Sequence, residues 1–403
     1  MPNLDDWFIS KSKEYKDNNK IDLSILKKII LKKPKKLPKK IISITGTNGK
    51  GSTAFLINKI LVSNNYKVGL YSSPHLIEPN ERILINDVPV SSNSIKKSFN
   101  SIKKNNNEIL NFYQLFSLAA FNIFFKENLD IWILEAGIGG RLDPINCFDA
   151  DISIITNIDL DHENILGNNV EKIGYEKSGI FRKDQISVFG DGPIPQSVRS
   201  KINELNIKFS KNNKNFFLEK KKNYFKWNDV KIKSTNFHPN SIALALKTVN
   251  LIDGSLTKDE LSKPIENSSI RGRCDLIDNK YLIDVAHNEH SAKNLRKFII
   301  NNKLNKKYIS AIFHCSENKE ILSIISPVKD LVSSWAVPKI DNERMAPHEI
   351  VSNTIEDNLD KKVRIDETLS ESIKLSLKEK PNSLILIFGS FYLAGEFYKE
   401  RAK

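Results

Sequence analysis

Ile44-Thr45-Gly46-Thr47-Asn48-Gly49-Lys50-Gly51-Ser52-Thr53 is the stretch that decides the fold. The apolar run Ile41–Thr45 that leads into it reads as a buried strand. From about Ser52 to Asn65 the pattern turns helical, with Ile57, Ile60 and Leu61 at i, i+3 and i+4 on one face. A glycine-rich turn between a strand and a helix is the setting of a phosphate-binding loop. Its glycines permit positive φ, so that successive N–H groups point inward at phosphate oxygens. The helix N-terminus adds partial positive charge, and Lys50 adds a mobile full one. A hydroxyl from Ser52 or Thr53 is placed to touch Mg2+. The spacing departs from the common GxxxxGK[ST], because Ile44 stands five residues before Gly49 and Gly51 follows Lys50. ATP is the leading ligand. The loop alone does not exclude GTP, and its plain alternative is a glycine turn with a surface lysine.

Outward from the loop, short β-like runs alternate with helix-period segments, which predicts an α/β fold with a parallel sheet covered by helices. Lys67–Ser72, Asp130–Leu134 and Asp151–Thr156 read as strands, with Glu135 at the carboxyl end of the second and Asn157–His162 closing the third. Phe112–Phe125 is apolar nearly all round and reads as a buried helix. Glu171–Phe181 and Asn240–Asn250 are helix-like, and 205–237 holds shorter, irregular strands. Lys263–Ile270, with Pro264, Asn267 and paired serines, suits a linker. Domains are therefore expected at 1–262 and 271–403. In the second, Tyr281–Val285, Tyr308–Phe313, Leu331–Val337, Val363–Ile365 and Leu384–Phe388 are strands with helices between them, and no glycine-rich loop recurs. Ligands of such sheets bind at the carboxyl ends of strands near a switch point, so a cleft between the domains is expected.

Composition bounds the function. A chain of 403 residues with 40% hydrophobic and 27% charged residues is globular and long enough for two or three domains. Three cysteines, Cys147, Cys274 and Cys315, support neither a disulfide scaffold nor a zinc module. Met1–Ser10 carries Asp5 and Asp6 and no apolar core, so no secretory signal is expected. Leu115–Phe125 is too short for a bilayer and is interrupted by Asn122. A cytoplasmic protein without membrane or nucleic-acid partners is expected. The net charge is +14, and its Lys-rich runs, Lys32–Lys40 and Lys211–Lys222, mix lysines with Asn and Pro as on a solvated surface, in a chain heavy in Lys and Asn throughout. A nucleic-acid-stimulated ATPase is the rival reading from that charge.

The variant loop resembles that of the Mur ligase superfamily, and further blocks are similar to the folylpolyglutamate synthase/dihydrofolate synthase family. They are Tyr71-Ser72-Ser73-Pro74-His75-Leu76 with Glu81-Arg82-Ile83, Leu134–Asp143 (LEAGIGGRLD), Asp161-His162 and Gly174–Phe181 (GYEKSGIF). The second domain adds Arg271-Gly272-Arg273, Asp284-Val285-Ala286-His287-Asn288 and Phe388-Gly389-Ser390-Phe391. The blocks keep family order from about Ile21 to Tyr398. The resemblance implies an N-terminal P-loop ATPase domain of Mur-ligase type and a smaller, Rossmann-like α/β domain. It also implies a reaction: ATP phosphorylates a substrate carboxylate, and the amino group of L-glutamate displaces the phosphate. Dihydropteroate becomes dihydrofolate, and reduced folates gain a glutamate. Another Mur-type amino-acid ligase is the nearest rival; little chain before the loop for a UDP-sugar domain argues against it. Performing only one of the two folate activities is the other.

By the same resemblance, Gly46, Thr47, Asn48, Gly49, Lys50, Gly51 and Ser52 bind ATP together with Asn240, Arg273 and Asp284. Ser73, Glu135 and His162 are magnesium ligands. A carboxylate at a strand end suits Mg2+, whereas His is the less expected partner for that ion. Lys177 matches a lysine that CO2 converts to a carbamate (N6-carboxylysine), a step that needs a neutral amine. Asn111, Phe112, Tyr113, Gln114, Leu142, Asp143 and Pro144 border the pterin. The family commonly has Thr and Glu where Asn111 and Gln114 stand, which bears on pterin choice. His287 belongs to the active-site motif with Lys50 and Lys177, and Glu289 replaces the usual Pro after His-Asn. A monomer is the family default.

Overall fold

Ile41, Ile42 and Ile44 are at most 3% exposed, and the strand they build, β1 (Lys40–Thr45), lies in the middle of the first sheet. The computed structural model describes residues 23–31, 36–104, 110–233 and 235–402. Met1–Ser10 and the beginning of Lys32–Lys40 lie outside them. The chain divides into two compact units, Met1–Ser268 and Ser269–Lys403.

The first unit holds β1 with β2 (Val68–Tyr71), β3 (Ile83–Ile85), β4 (Val88–Pro89), β5 (Ile131–Glu135), β6 (Ile152–Ile155), β7 (Ile186–Phe189) and β8 (Lys208–Lys211). Their spatial order is β4-β3-β2-β5-β1-β6-β7-β8. The pairs from β2 to β8 are parallel, and β3 and β4 add an antiparallel edge. Parallel strands covered on both faces read as near-continuous apolar runs, and β1 after Lys40, β2, β5 and β6 are buried along their whole length. The helix Lys50–Ser63 is buried on more than the Ile57–Ile60–Leu61 face, because helix Pro239–Ile252 packs along it as well as the sheet. Helix Phe112–Phe124 sits in an aromatic cluster with Phe99, Trp132 and Phe148. A small antiparallel sheet, β9 (Glu219–Lys220), β10 (Tyr224–Trp227) and β11 (Val230–Lys233), accounts for the irregular strands expected over 205–237.

The expected linker Lys263–Ile270 is corrected in its first half. Helix Lys258–Glu266 runs through it, started by a reciprocal cap between Thr257 and Glu260. Pro264 has no N–H to give the Glu260 carbonyl. That carbonyl instead accepts the side-chain amide of Asn64 at 3.2 Å, so the proline is tolerated.

The second unit is a sheet of β12 (Asp275–Ile277), β13 (Tyr281–Asp284), β14 (Ile309–Phe313), β15 (Ser334–Pro338), β16 (Val363–Asp366) and β17 (Leu384–Phe388), in the order β12-β13-β17-β14-β15-β16. All pairs are parallel except β12 with β13. Helices Glu289–Asn301, Ile321–Ile325 and His348–Leu359 pack in series, while Leu369–Glu379 packs on Phe391–Arg401. The helices after β13 and β17 thus belong to different layers, and the crevice of an open α/β sheet falls where such neighbours diverge. Asp284–His287 and Gly389–Phe391 stand at that point. Among the described residues no helix is long and apolar enough to cross a membrane.

Candidate active site

The glycine-rich loop leaves the carboxyl end of β1, as its sequence predicts. Gly46 has φ +146°, and a Cβ there would lie 1.8 Å from Thr156 Oγ1, so only glycine fits. Gly49, at φ +82°, precedes the helix Lys50–Ser63 in the left-handed conformation. The neighbouring β6 end holds the loop: Asn157 accepts Thr47 N–H on its carbonyl at 3.0 Å and Asn48 N–H on its side chain at 2.9 Å. Thr156 donates its hydroxyl to the Asn48 carbonyl at 2.7 Å. Thr156 and Asn157 were not singled out by the sequence; their one signal is two polar residues after an apolar strand. Of the two hydroxyls offered to a metal, Thr53 is fully buried and Ser52 keeps 9% exposure, so Ser52 is the accessible one.

Two lysines converge on this loop. Lys50 Nζ donates to the Gly46 carbonyl at 2.9 Å and to the Thr47 carbonyl at 3.4 Å. Lys177 Nζ, from the helix Val170–Ser178, donates to the same Gly46 carbonyl at 2.9 Å although 131 positions away. Lys177 is 3% exposed. Burial, and then the nearby Lys50 charge, push its amine well below the usual lysine range, against an opposing pull from Asp161. A helix lysine is ordinarily a solvated charge; this one is a buried amine held toward its neutral form.

Glu135 ends β5 opposite Ile44 of β1. It is 3% exposed, and its Oε2 accepts Ser73 N–H at 3.2 Å. A Cβ added to Gly51 would meet this carboxylate at 3.5 Å, so Glu135 lies directly against the start of the phosphate-loop helix. Ser73 and Glu135 are thus brought together. His162 occupies a left-handed position (φ 52°) before the short helix Glu163–Leu166, with Asp161 beside it. Among the described residues no cluster of three or more His, Cys, Asp or Glu is arranged to hold a metal alone. Mg2+ keeps waters and substrate phosphates and takes only one or two carboxylates. The buried Glu135 and the Ser52 hydroxyl supply suitable hard oxygens.

Asn240 is 7% exposed, donating its amide to the Thr156 carbonyl at 2.9 Å and accepting from Asn212 at 3.1 Å. Ser241 next to it lies under Gly49. Of the residues expected around the pterin, Asn111 and Gln114 form a reciprocal helix cap. Gln114 N–H donates to Asn111 Oδ1 and Asn111 N–H to Gln114 Oε1, each at 2.9 Å. The Thr and Glu common in the family have the pattern of the same cap. The departure therefore keeps the pattern of the helix start. Phe112 packs on Phe99 and Phe116. Tyr113 donates to Asp143 Oδ2 at 3.2 Å. Asp143 also accepts Gly137 N–H at 2.9 Å and Ile145 N–H at 3.0 Å, and burial raises its carboxyl to about 6. Pro144 is buried and Leu142 exposed.

In the second unit Asp284 is 6% exposed and ties two segments, accepting Cys274 N–H and Ala286 N–H at 2.7 Å each. Burial raises its pKa, and the Arg273 charge opposes the rise. His287 Nδ1 lies 2.9 Å from the Val285 carbonyl, which assigns the proton to Nδ1 and leaves Nε2 as the acceptor in the neutral ring. Glu289 does not disturb this turn. Asn288 caps the helix Glu289–Asn301, and Glu289 takes its first position, where Pro and acidic residues are both favoured.

A sequence profile of the Mur ligase middle domain matches residues 44–251, and one of the dihydrofolate synthetase C-terminal domain matches 275–400. The dihydrofolate synthase/folylpolyglutamate synthase of Buchnera aphidicola subsp. Acyrthosiphon pisum is 34% identical over 371 residues, covering 89% of this chain and 88% of its own. The chain belongs to the dihydrofolate synthase/folylpolyglutamate synthase family. The Haemophilus influenzae member is 28% identical over 385 residues, with 89% and 88% covered. Among solved structures, the bifunctional enzyme from Yersinia pestis, complexed with AMPPNP and Mn, superposes with a TM-score of 0.89 at 24% identity. It covers 100% of this chain and 99% of its own. The Escherichia coli family member in complex with DHPP and ADP superposes equally well, with the same identity and coverage. These two support the fold, and both units of this family member share it.

Proposed function

We propose that the chain is an ATP-dependent ligase that joins L-glutamate to dihydropteroate and to reduced folates. It works as a monomer in the cytoplasm, without nucleic-acid or membrane partners. The observation that carries the reading is the convergence of Lys50 and Lys177 on the Gly46 carbonyl, with the Glu135 carboxylate against Gly51. A positive loop facing a hard carboxylate is what a magnesium–nucleotide triphosphate needs. Relatives that carry both activities in their names, and structural neighbours solved with AMPPNP and Mn or with DHPP and ADP, support the same assignment.

In the proposed reaction a carboxylate oxygen of the acceptor attacks the γ-phosphorus of ATP, and ADP leaves. The glutamate amino nitrogen then attacks the acyl carbon, inorganic phosphate leaves with the transferred oxygen, and the nitrogen loses a proton. The Gly49–Ser52 amides and Lys50 hold the phosphates and offset charge developing on the transferring group, while the Thr47 and Asn48 N–H groups stay bonded to Asn157. Ser73, Glu135 and His162 hold Mg2+, which neutralises phosphate charge when bound. Lys177, whose amine burial pushes toward its neutral form, attacks CO2 to form a carbamate and loses a proton to solvent. The resulting anion faces the Lys50 charge beside Gly46. Asn240, Arg273 and Asp284 are assigned to the nucleotide, and Leu142, Asp143, Pro144, Phe112 and Tyr113 to the pterin side. His287, with Nε2 able to accept, is assigned to the glutamate ammonium or the acyl phosphate.

The test is incorporation of labelled glutamate with Mg-ATP and either dihydropteroate or tetrahydrofolate. The reading expects product with both acceptors. No incorporation with either, by folded protein, contradicts it. ATP turnover that needs DNA or RNA instead supports the rival ATPase.

A further inference from the structure

The family motifs carry Phe391 and the match ends near Tyr398, yet neither residue has a part in the assignments above. Both belong to the chain's last helix, Phe391–Arg401, seven positions apart, so two turns place them on one stripe. The start of that helix is fixed by a cap, Ser390 Oγ accepting Leu393 N–H at 3.1 Å. It is fixed also by Gly389, whose φ of +116° and close approach to the His314 carbonyl exclude a side chain. The Phe391 ring emerges from this turn between two residues of the proposed chemistry. The Arg273 guanidinium carbon lies 5.4 Å from its centroid, and the His287 ring lies 6.0 Å away at 47°. Two turns later the Tyr398 hydroxyl accepts Gly272 N–H at 2.8 Å and donates to the Asp275 carboxylate, bracketing Arg273 in sequence. Arg271 covers the Tyr398 ring at 5.6 Å.

We propose that the last helix is the positioning element for Arg273 and His287: Phe391 sets the angle of the guanidinium and imidazole, and Tyr398 fixes the loop that carries the arginine. The chemistry of the contacts accounts for the residue types. A guanidinium is attracted to an aromatic face within about 6 Å, and the ring also limits imidazole rotation. An aliphatic side chain fills the space without that attraction. Tyr398 satisfies a backbone donor in a loop where Gly272 is held at φ +70°, so the arginine emerges from a fixed backbone rather than a mobile one. Neither residue touches the reacting atoms in this account; both act through Arg273 and His287. The proposal rests on the assignment of those two residues to nucleotide and acyl-phosphate chemistry.

The experiment compares the full-length chain with Phe391→Leu, Phe391→Tyr and Tyr398→Phe. It measures thermal midpoint, the kcat and KM for ATP in glutamate incorporation, and the imidazole proton resonances of His287 by NMR, assigned with His287→Asn. Phe391→Leu is expected to raise the KM for ATP about two- to thirty-fold, the range of a cation–π contact. It is also expected to move the His287 resonances by removing the ring current, with little change in midpoint. Phe391→Tyr, which keeps the ring, is expected to restore both. Tyr398→Phe is expected to raise the KM while leaving the His287 resonances in place. Unmoved resonances and an unchanged KM in Phe391→Leu overturn the proposal. So does a Phe391→Tyr variant as impaired as Phe391→Leu. The resonances read the contact without turnover, so a wild type that incorporates no glutamate counts against the ligase assignment and leaves the Phe391 contact separately decided.

Discussion

Replacing Lys177 with Met tests the electrostatics of the site. Two Nζ atoms each 2.9 Å from one carbonyl oxygen are at most about 6 Å apart. With both charged, and an effective dielectric constant of about 20, they repel by about 3 kcal/mol. Burying the Lys177 ammonium adds a desolvation cost, and Asp161 returns part of the total. The folded protein therefore holds this amine neutral at pH values where the unfolded chain protonates it. Between the depressed value and 10.5, unfolding takes up a proton, so this lysine destabilises the fold more as pH falls. Lys177→Met is expected to stabilise the protein by about 2 kcal/mol at neutral pH in bicarbonate-free buffer, several degrees in thermal midpoint. The gain should shrink as pH rises toward 10. Added bicarbonate should raise the wild-type midpoint, and its mass by one CO2, and leave the variant unchanged, while the variant loses glutamate incorporation. A variant less stable than wild type from pH 6.5 to 9, or a wild type indifferent to bicarbonate, refutes the reasoning.

Gly46→Ala should abolish nucleotide binding measured by calorimetry, because its Cβ would displace Thr156 Oγ1 and with it the bond to the Asn48 carbonyl. Asn111→Ala should cost about 1 kcal/mol in denaturant unfolding. The double change Asn111→Thr with Gln114→Glu, which keeps the reciprocal cap, should be close to neutral and leave the choice between pteroate and folate acceptors unchanged. His314 is buried and held down to about 4. The unfolded chain protonates it first as pH falls, so the stability its neutral burial confers should be lost progressively between pH 6.5 and 4. His314→Gln should flatten that part of the midpoint-against-pH curve.

The glycine-rich loop between its strand and helix was legible because it is local. Strand, glycine turn and helix lie within Ile41–Ser63, and both the apolar periods and the positive-φ glycines have sequence signatures. Glu135 was legible for the same reason, a carboxylate ending a wholly apolar strand. The five parallel strands of the second unit were found, four of them within a residue of their observed limits and β15 begun three residues early, since buried parallel strands are near-continuous apolar runs. The hairpin β3–β4, the helix Ser92–Lys104 and the antiparallel β12 were not found; their short or half-exposed segments give weak periodicity. Lys177 could be named only by resemblance, because its burial depends on a contact across 131 positions. Asn111 and Gln114 show the opposite limit. Their departure from the family pattern is visible in sequence, but that it conserves a cap is visible only in the bonds they make. The helix Lys258–Glu266 shows how a proline and polar residues imitate a linker when a distant side chain, here Asn64, satisfies the carbonyl that proline leaves open.

Transfer of oxygen from substrate to phosphate tests the proposed chemistry most directly. Dihydropteroate labelled with oxygen-18 in its carboxylate, incubated with Mg-ATP and glutamate, should yield inorganic phosphate carrying one labelled oxygen for each dihydrofolate formed. Unlabelled phosphate alongside labelled product would contradict an acyl phosphate formed at this loop, and the roles given to Lys50 and the Gly49–Ser52 amides would fall with it.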